Sequence, residues 1–359
     1  MSDRTGSGLV ELATLETLSA ATGGRPRAHV VCTRAVAGIE ERIGLGPRYG
    51  YEVLLDLARP WIIPVPTVGV VGNKGDRSFP EASGPEYTEC RPSHAGQLVL
   101  DAEAHRLAPV PVGIINGTTY RGGMQPPLEP SRVLAALLRL LEDPRVPDSD
   151  VLGIVGLPCS TAGCEVTGDL DALVKGRSAV IRETAKITIT GVPVLPAPVH
   201  RAAPTRPRTG VTAVAYASTG PPPRRPAHLV IESLPARTSN PQAGQAIVSR
   251  MRPRSGPDAH PPLARTAGLP IEDITDQADV DTDVRIVIAL RPGADPAAVR
   301  DQLAAIDGIT TKATWKFPAP LASMLRSWVD RYRGEDIAAS LASLEEAIAR
   351  DRRRNRRHR

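Results

Sequence analysis

Aromatic residues and long apolar runs are scarce in this sequence of 359 residues. Phe, Trp and Tyr make up 3% of the chain, and no run of about 18 apolar residues exists that could span a membrane. The N-terminus also lacks a basic stretch followed by an apolar core and a cleavage site, so a secretory signal peptide is not indicated. These absences predict a cytoplasmic protein that does not interact with a membrane.

Cysteine is equally scarce, with residues only at Cys32, Cys90, Cys159 and Cys164. Four irregularly spaced cysteines do not form the pattern of a disulfide framework, so we expect reduced thiols that pack as small apolar side chains. Cys159 and Cys164 have no second Cys/His pair nearby, and the seven histidines show no metal-ligand spacing. No metal site is therefore predicted on this chain.

The charge balance permits an anionic partner without requiring one. Lysine and arginine number 44 against 39 acidic residues, which gives a net charge of +5 and a pI of about 9.2. The glycine-rich stretch GVVGNKGD lacks the spacing of a phosphate-binding loop, and Lys74 is followed by Gly75 instead of Ser or Thr. A nucleotide site on this chain is therefore not predicted.

Apolar periodicity divides the first third of the chain into three short helices and a loop-rich region. Helices are predicted at 8–22, 29–43 and 50–61, where apolar residues recur every three or four positions. Three such helices in succession suggest a helix-turn-helix-like unit. From 62 to 123, short β-branched runs broken by Gly and Pro predict a loop-rich α/β region.

The rest of the chain mixes helices and strands. A helix is predicted at 131–143, with Ser131 as its N-cap and Pro144 after its end. Further elements follow from alternation or from helical periodicity: strands at 179–191, 211–218, 228–235 and 283–290, and helices at 241–252 and 295–306, the last opened by Asp295. The C-terminal segment is predicted to form one or two amphipathic helices. Its last ten residues include seven arginines, which form either a solvated disordered end or a phosphate-binding tail.

Several segments, taken in order, resemble the A subunit of type IIA DNA topoisomerases, the family of the gyrase and topoisomerase IV A subunits. They are TRAVAGIEERIGLGPRYGYEVLLDLARPW, VGVVGNKGDRSFPEASGPEYTECR, PVPVGIINGTT, LPCSTAGCEV, GRSAVIRETAKITI, HLVIESLPARTSNPQAGQAIVSRM and ITDQADVDTDVRIVIALRPGADPAAVRDQL. The resemblance covers about residues 33–330, and this collinear order is more specific than any single motif.

The resemblance implies an α+β fold in three parts. A winged-helix-like breakage-reunion domain is expected at 1–150, and a tower-like α/β domain at 151–320. A short helical segment at 321–359 would be the beginning of the family's coiled-coil arm, followed by the basic tail.

The resemblance also implies DNA cleavage by transesterification, with Tyr87 as the nucleophile that attacks a phosphodiester and becomes a phosphotyrosine. A tyrosine with a pKa of ~10 needs cationic neighbours and usually a divalent metal for this reaction. In the family, Mg²⁺ and ATP are bound by a separate B subunit, so both are expected through such a partner and neither on this chain. Cutting both strands of double-stranded DNA needs two tyrosines, so a homodimer is expected.

The residues around Tyr87 depart from the family pattern. The family has an arginine immediately before the tyrosine, whereas this chain has Glu86, whose carboxylate would repel phosphate. Loss of one charge-stabilising donor can cost ~10²–10³ in rate. Lys74, Arg77 and Arg91 are the predicted sources of the missing charge.

The DNA-facing residues depart as well. The paired histidines at the start of the family's recognition helix are replaced by GLGPRYG, which leaves Arg48, Tyr49 and Tyr51 as predicted DNA contacts. The turn that presents a DNA-bending isoleucine in the family reads TTYRGGM, so Tyr120 is the candidate for insertion between bases.

Two functions follow from this pattern of matches and departures. In the first, the chain cleaves and rejoins DNA through Tyr87 together with a B-type subunit. In the second, it is a catalytically silent relative that binds DNA or a B subunit as a regulator or decoy. Both predict DNA binding, and they differ in whether a covalent link forms.

Overall fold

A computed structural model describes Arg4 and residues 7–117, 119–120, 123–156, 158, 163–190, 227–251, 268–279 and 282–357. The fold is α+β, as the sequence predicts, with helices packed on small, mainly antiparallel sheets. The strand predicted at 211–218 lies outside the described residues.

The chain begins with three helices packed in sequence. Helix α1 (Leu9–Ala21) packs against α2 (Cys32–Ile43), which packs against α3 (Pro47–Asp56). Gly44 ends α2 in the left-handed conformation with φ 70°, and the proline that begins α3 occupies its first turn, where no backbone donor is needed. The predicted three-helix pattern is confirmed, and the third helix begins three residues earlier than expected.

A three-stranded antiparallel sheet completes this N-terminal unit. Strand β1 (Val30–Val31) precedes α2, β2 (Val68–Val71) follows α3, and β3 (Glu89–Pro92) lies between them, so the strand order is β1–β3–β2. In the register of the three strands, Cys90 of β3 lies opposite Val30 of β1 and opposite Val70 of β2. The long connection between β2 and β3 carries Tyr87.

Four helices follow and extend the same core: α4 (His94–Glu103), α5 (Val112–Asn116), α6 (Pro130–Glu142) and α7 (Asp148–Val155). Helix α6 confirms the helix predicted at 131–143, but its cap is Glu129, whose carboxylate accepts a hydrogen bond from Ser131 N at 3.1 Å. The predicted Ser131 cap is therefore wrong, because a proline lies between the true cap and Ser131 and allows the helix to begin one residue earlier.

The chain then crosses from the first hydrophobic core into a second one, which begins at Ala185. The elements before the crossing are β4 (Thr119–Tyr120), β5 (Gly123–Met124), β6 (Glu165–Gly168), α8 (Leu170–Val174) and β7 (Ala179–Thr184). Those within it are β8 (Ile187–Thr190), β9 (His228–Ile231), α9 (Asn240–Met251), β10 (Ile271–Asp276), β11 (Ile286–Leu290) and α10 (Pro296–Ala304). The sheet order β10–β11–β9–β8 is antiparallel throughout, and its apolar residues form a cluster separate from the first core.

The chain then returns to the first core. Strand β12 (Thr310–Trp315) pairs antiparallel with β7, and the Ala185 amide donates to the Ile309 carbonyl at 2.9 Å where the two crossings meet. The second core therefore spans 185–309, which is narrower than the predicted domain at 151–320. Its boundary differs because the flanking residues contribute their apolar side chains to the first core.

The last two helices, α11 (Leu321–Arg331) and α12 (Ile337–Arg357), also pack into the first core, against α6, α7 and α4. Asp351 fixes α12 to the beginning of α4: its Oδ1 lies 2.7 Å from His94 Nδ1, and its Oδ2 accepts from Ala95 N at 3.3 Å. The short helical segment predicted at 321–359 is thus packed on the first core. The arginine-rich end continues α12 as far as Arg357.

Candidate functional site

Tyr87 ends a one-turn 3-10 helix, Pro85–Tyr87, that leads directly into β3. Pro85 sets the backbone angle at the first position, and the Tyr87 amide closes the turn by donating to the Gly84 carbonyl at 3.0 Å. The turn lies against α2, and the Tyr87 side chain is 77% exposed. The phenol is therefore held on an ordered turn and is accessible to a large ligand.

The preceding residues form what we term the 72–84 loop, which closes on itself beside Tyr87. The Asn73 carbonyl accepts a hydrogen bond from Ser83 N at 2.9 Å, which joins the two ends of the loop. Gly72 has φ +96°, and a β-carbon at this position would lie 3.0 Å from the Tyr87 carbonyl oxygen. Glycine is required here because the loop passes so close to the tyrosine backbone.

Arg59, which the sequence did not point to, supports the 72–84 loop from within. Its Nε donates to the Lys74 carbonyl at 2.8 Å, and its Nη2 donates to the Pro80 carbonyl at 3.0 Å. Lys74 is half-buried, and its Nζ donates to the Ala58 carbonyl at 3.2 Å. In this conformation Lys74 contributes to the packing of the loop and not to an exposed cationic surface.

Arg77, the second predicted source of positive charge, is buried at the junction between the two cores. Its side chain is 2% exposed and donates to the Leu234 carbonyl at 3.0 Å and to the Trp61 carbonyl at 3.4 Å. The guanidinium also lies 5.7 Å from the centre of the Trp61 ring, within cation–π range. This corrects the expectation that Arg77 faces DNA: it anchors the 72–84 loop to the second core.

Arg91 requires the same correction. It lies in β3, is 7% exposed, and donates from Nη1 to the Pro26 carbonyl at 2.5 Å. A charge buried at this depth is retained because it is hydrogen-bonded. Neither arginine can therefore replace the arginine that the resemblance expects beside the tyrosine.

The beginning of α3 does present the predicted DNA-contacting side chains. Tyr49 is 65% exposed, and Arg48 is exposed with only a 3.3 Å ion pair to Glu52 one turn away. Such a surface pair is weak, so the Arg48 guanidinium can exchange it for another anion. Tyr51 differs because its hydroxyl is already bound to Ser83 and Thr88, which corrects its assignment as a DNA contact.

Glu86 places a negative charge on the Tyr87 turn itself. The residue is exposed, and its carboxylate folds back over Gly84, where a β-carbon would lie 2.6 Å from either carboxylate oxygen. The absence of a side chain at Gly84 is what allows this conformation. A phosphate that approached Tyr87 would therefore meet a carboxylate from the adjacent residue.

The structure adds one exposed aromatic residue that the sequence analysis overlooked. Asp76 Oδ1 accepts hydrogen bonds from Ser78 N at 2.9 Å and from Phe79 N at 2.7 Å, which forms an Asx turn. Phe79 follows this turn and is 76% exposed. Its position directly after an Asp-x-Ser sequence, which is typical of such a turn, was the sequence signal that could have predicted its exposure. Tyr120, the predicted intercalating residue, lies in β4, and its side chain is outside the described part of the structure.

A comparison with protein-family models and with curated proteins finds no match to this chain. In the described residues, no group of three or more His, Cys, Asp or Glu side chains could hold a metal ion. Within the same residues, no helix is both long enough and apolar enough to cross a membrane.

Proposed function

We propose that this chain is a DNA-binding subunit of the type II topoisomerase kind that breaks and rejoins DNA through Tyr87. One observation carries the proposal. The element order α1–β1–α2–α3–β2–β3, with the strand order β1–β3–β2, resembles that of a winged helix and supports the proposal, because an exposed tyrosine ends the connection that would correspond to the wing. Helix-turn-helix units of this kind bind DNA with their second helix.

The exposed beginning of α3 supports a DNA-binding role. Arg48 and Tyr49 lie in its first turn, and a helix N-terminus carries partial positive charge that favours phosphate. Because α2 packs against both α3 and the Tyr87 turn, a duplex bound along α3 would lie close to the phenol. The proposed recognition helix and nucleophile thus belong to one rigid unit.

The proposed reaction exchanges one phosphate ester for another. The Tyr87 phenol oxygen attacks the phosphorus of a DNA phosphodiester and forms a tyrosine–phosphate bond as the bond to one deoxyribose oxygen breaks. That oxygen takes up a proton, the phenol loses one, and the resulting DNA hydroxyl later attacks the phosphotyrosine to restore the strand. Because the ester energy is kept in the covalent link, rejoining needs no separate energy source.

The proposal also assigns partners. A divalent metal would neutralise charge on the reacting phosphate, and we assign it, with ATP hydrolysis, to a B-type partner subunit. Two copies of this chain would supply one tyrosine for each strand of the duplex, so the active species would be a homodimer bound to two partner subunits.

A second candidate function is a DNA-binding or partner-binding protein that does not cleave. The position of Glu86 favours it, because a carboxylate lies on the Tyr87 turn and the predicted replacements Arg77 and Arg91 are buried. Such a chain would occupy DNA or sequester a B subunit without forming a covalent bond.

Covalent trapping separates the two functions. The chain, a B-type subunit and Mg²⁺ are mixed with radiolabelled duplex DNA and denatured rapidly with detergent. Cleavage predicts labelled DNA attached to the protein, with the link located by mass spectrometry on the peptide that contains Tyr87. The Tyr87→Phe variant should give no adduct although it binds DNA as the parent does. If the parent also forms none, the cleavage function is rejected and the binding function remains.

DNA binding itself predicts a steep response to salt. The logarithm of affinity should fall linearly with the logarithm of salt concentration, and by about tenfold or more between 50 and 200 mM, because bound phosphates release counterions. Fluorescence anisotropy of a labelled duplex measures this slope. Arg48→Ala should reduce the slope by about 1. Arg333→Ala, which removes an exposed arginine beyond α11, is the matched control. A flat response would exclude DNA cleavage and DNA binding and leave only the binding of a partner subunit.

A further inference from the structure

Tyr51 connects the two ends of the segment that carries Tyr87. Its hydroxyl donates to the Ser83 carbonyl at 2.7 Å, just before the Pro85–Tyr87 turn, and lies 3.0 Å from Thr88 Oγ1, just after it. A tyrosine hydroxyl has one proton, and a carbonyl can only accept. The Thr88 hydroxyl therefore donates to the Tyr51 oxygen, in preference to its longer 3.4 Å contact with the Gly84 carbonyl.

The surroundings of Tyr51 maintain this arrangement. The residue lies on α3, and its ring packs against the first core. Burial raises the pKa of Tyr51 above its ordinary value of 10, so the hydroxyl keeps its proton and continues to donate to Ser83. Thr88 is 1% exposed, which excludes water as a competing partner for its hydroxyl.

We propose that Tyr51 is a positioning residue that holds the backbone of the Tyr87 turn at a fixed place relative to α3. The inference rests on the proposed function, in which α3 binds DNA and Tyr87 attacks it. One side chain of the proposed recognition helix holds both ends of the turn that carries the nucleophile, so the Cα atom of Tyr87 keeps its place relative to the helix. A misplacement of about 1 Å at a reacting atom can cost up to about 10²-fold in rate.

The test uses the full chain with Tyr51→Phe, which keeps the ring and removes both hydrogen bonds. At saturating DNA, we expect the single-turnover rate of adduct formation to fall by about tenfold or more, while DNA affinity changes less than twofold. The matched control is Ser340→Ala, which removes another buried hydroxyl that donates to a carbonyl, that of Ala108 at 3.0 Å. It should leave the adduct rate unchanged. An equal loss in both variants, or none in Tyr51→Phe, would overturn the proposal.

A second readout does not depend on cleavage. Hydrogen exchange of the Tyr87 amide, which closes its turn on Gly84, should be at least about tenfold faster in Tyr51→Phe than in the parent, while amides of α6 are unaffected. Thr88→Val tests the same link from the other side and should give the same result. Unchanged Tyr87 exchange in both variants would reject the positioning role. If exchange is faster in both variants but the parent forms no adduct, the cleavage function is rejected and the support of the Tyr87 turn by Tyr51 is retained.

Discussion

Replacing Glu86 with arginine should raise the rate of covalent adduct formation by about 10²-fold. The glutamate carboxylate lies on the Tyr87 turn and would repel the phosphate whose negative charge grows in the transition state. An arginine at the same position would donate hydrogen bonds to that phosphate, and a single donor of this kind is worth ~10²–10³ in rate. The measurement is the single-turnover appearance of detergent-stable protein–DNA adduct with Mg²⁺ and a B-type subunit.

Glu86→Gln separates the two contributions. It removes the negative charge without adding a cation, so we expect an adduct rate between those of the parent and of Glu86→Arg. The double variant Glu86→Arg, Tyr87→Phe should form no adduct, which shows that the gain acts through the phenol. An unchanged or lower rate in Glu86→Arg, with DNA affinity intact, would mean that this turn does not face the reacting phosphate.

Local structure could be predicted from the sequence where short-range signals determine it. The helix at 295–306 appears as Pro296–Ala304, and Asp295 caps it by accepting a hydrogen bond from Ala297 N at 3.0 Å, as predicted. No disulfide joins any two of the three cysteines in the described residues, as expected. Helical periodicity and capping are properties of neighbouring residues, so both are visible without tertiary information.

The site residues were harder to assign because their exposure depends on distant contacts. The Arg77 guanidinium donates a hydrogen bond to the Leu234 carbonyl, 157 positions away. The Tyr51 hydroxyl donates one to the Ser83 carbonyl, 32 positions away. From the sequence alone, an arginine in a glycine-rich loop and a tyrosine on a helix are both expected to be exposed, whether or not a distant contact covers them. Arg48 and Tyr49 are exposed because they lie in the first turn of an outer helix that no other element covers, and their contact with DNA stays a prediction.

The domain boundary illustrates the same limit. Strands β7 and β12 form one ladder although Thr184 and Thr310 are 126 positions apart, and the residues between them form the second core. Strand alternation predicted β7 but neither β12 nor the pairing of the two, because pairing is determined by the apolar faces that the folded chain brings together.

Because of Glu183, which lies on β7, the stability of the folded chain is expected to depend on pH. Its side chain is 6% exposed, and burial raises its pKa to about 7, although the Ala236 backbone amide and the charge of Arg77 partly oppose the shift. A carboxyl group whose pKa is higher in the folded state binds protons more tightly there than in the unfolded state. Its contribution to stability is therefore fully present below pH 4.5 and is lost as pH rises to about 7.

Glu183→Gln should remove this dependence, because the amide stays neutral at every pH. We expect the variant to be more stable than the parent at pH 8 by as much as about 3 kcal/mol and to differ little at pH 5. Urea unfolding at both pH values measures the difference, with Glu272→Gln as a control on an exposed strand glutamate. If Glu183→Gln instead destabilises the chain at pH 8, attraction to Arg77 outweighs the cost of burying the carboxylate. The 72–84 loop would then be held to β7 by an ion pair.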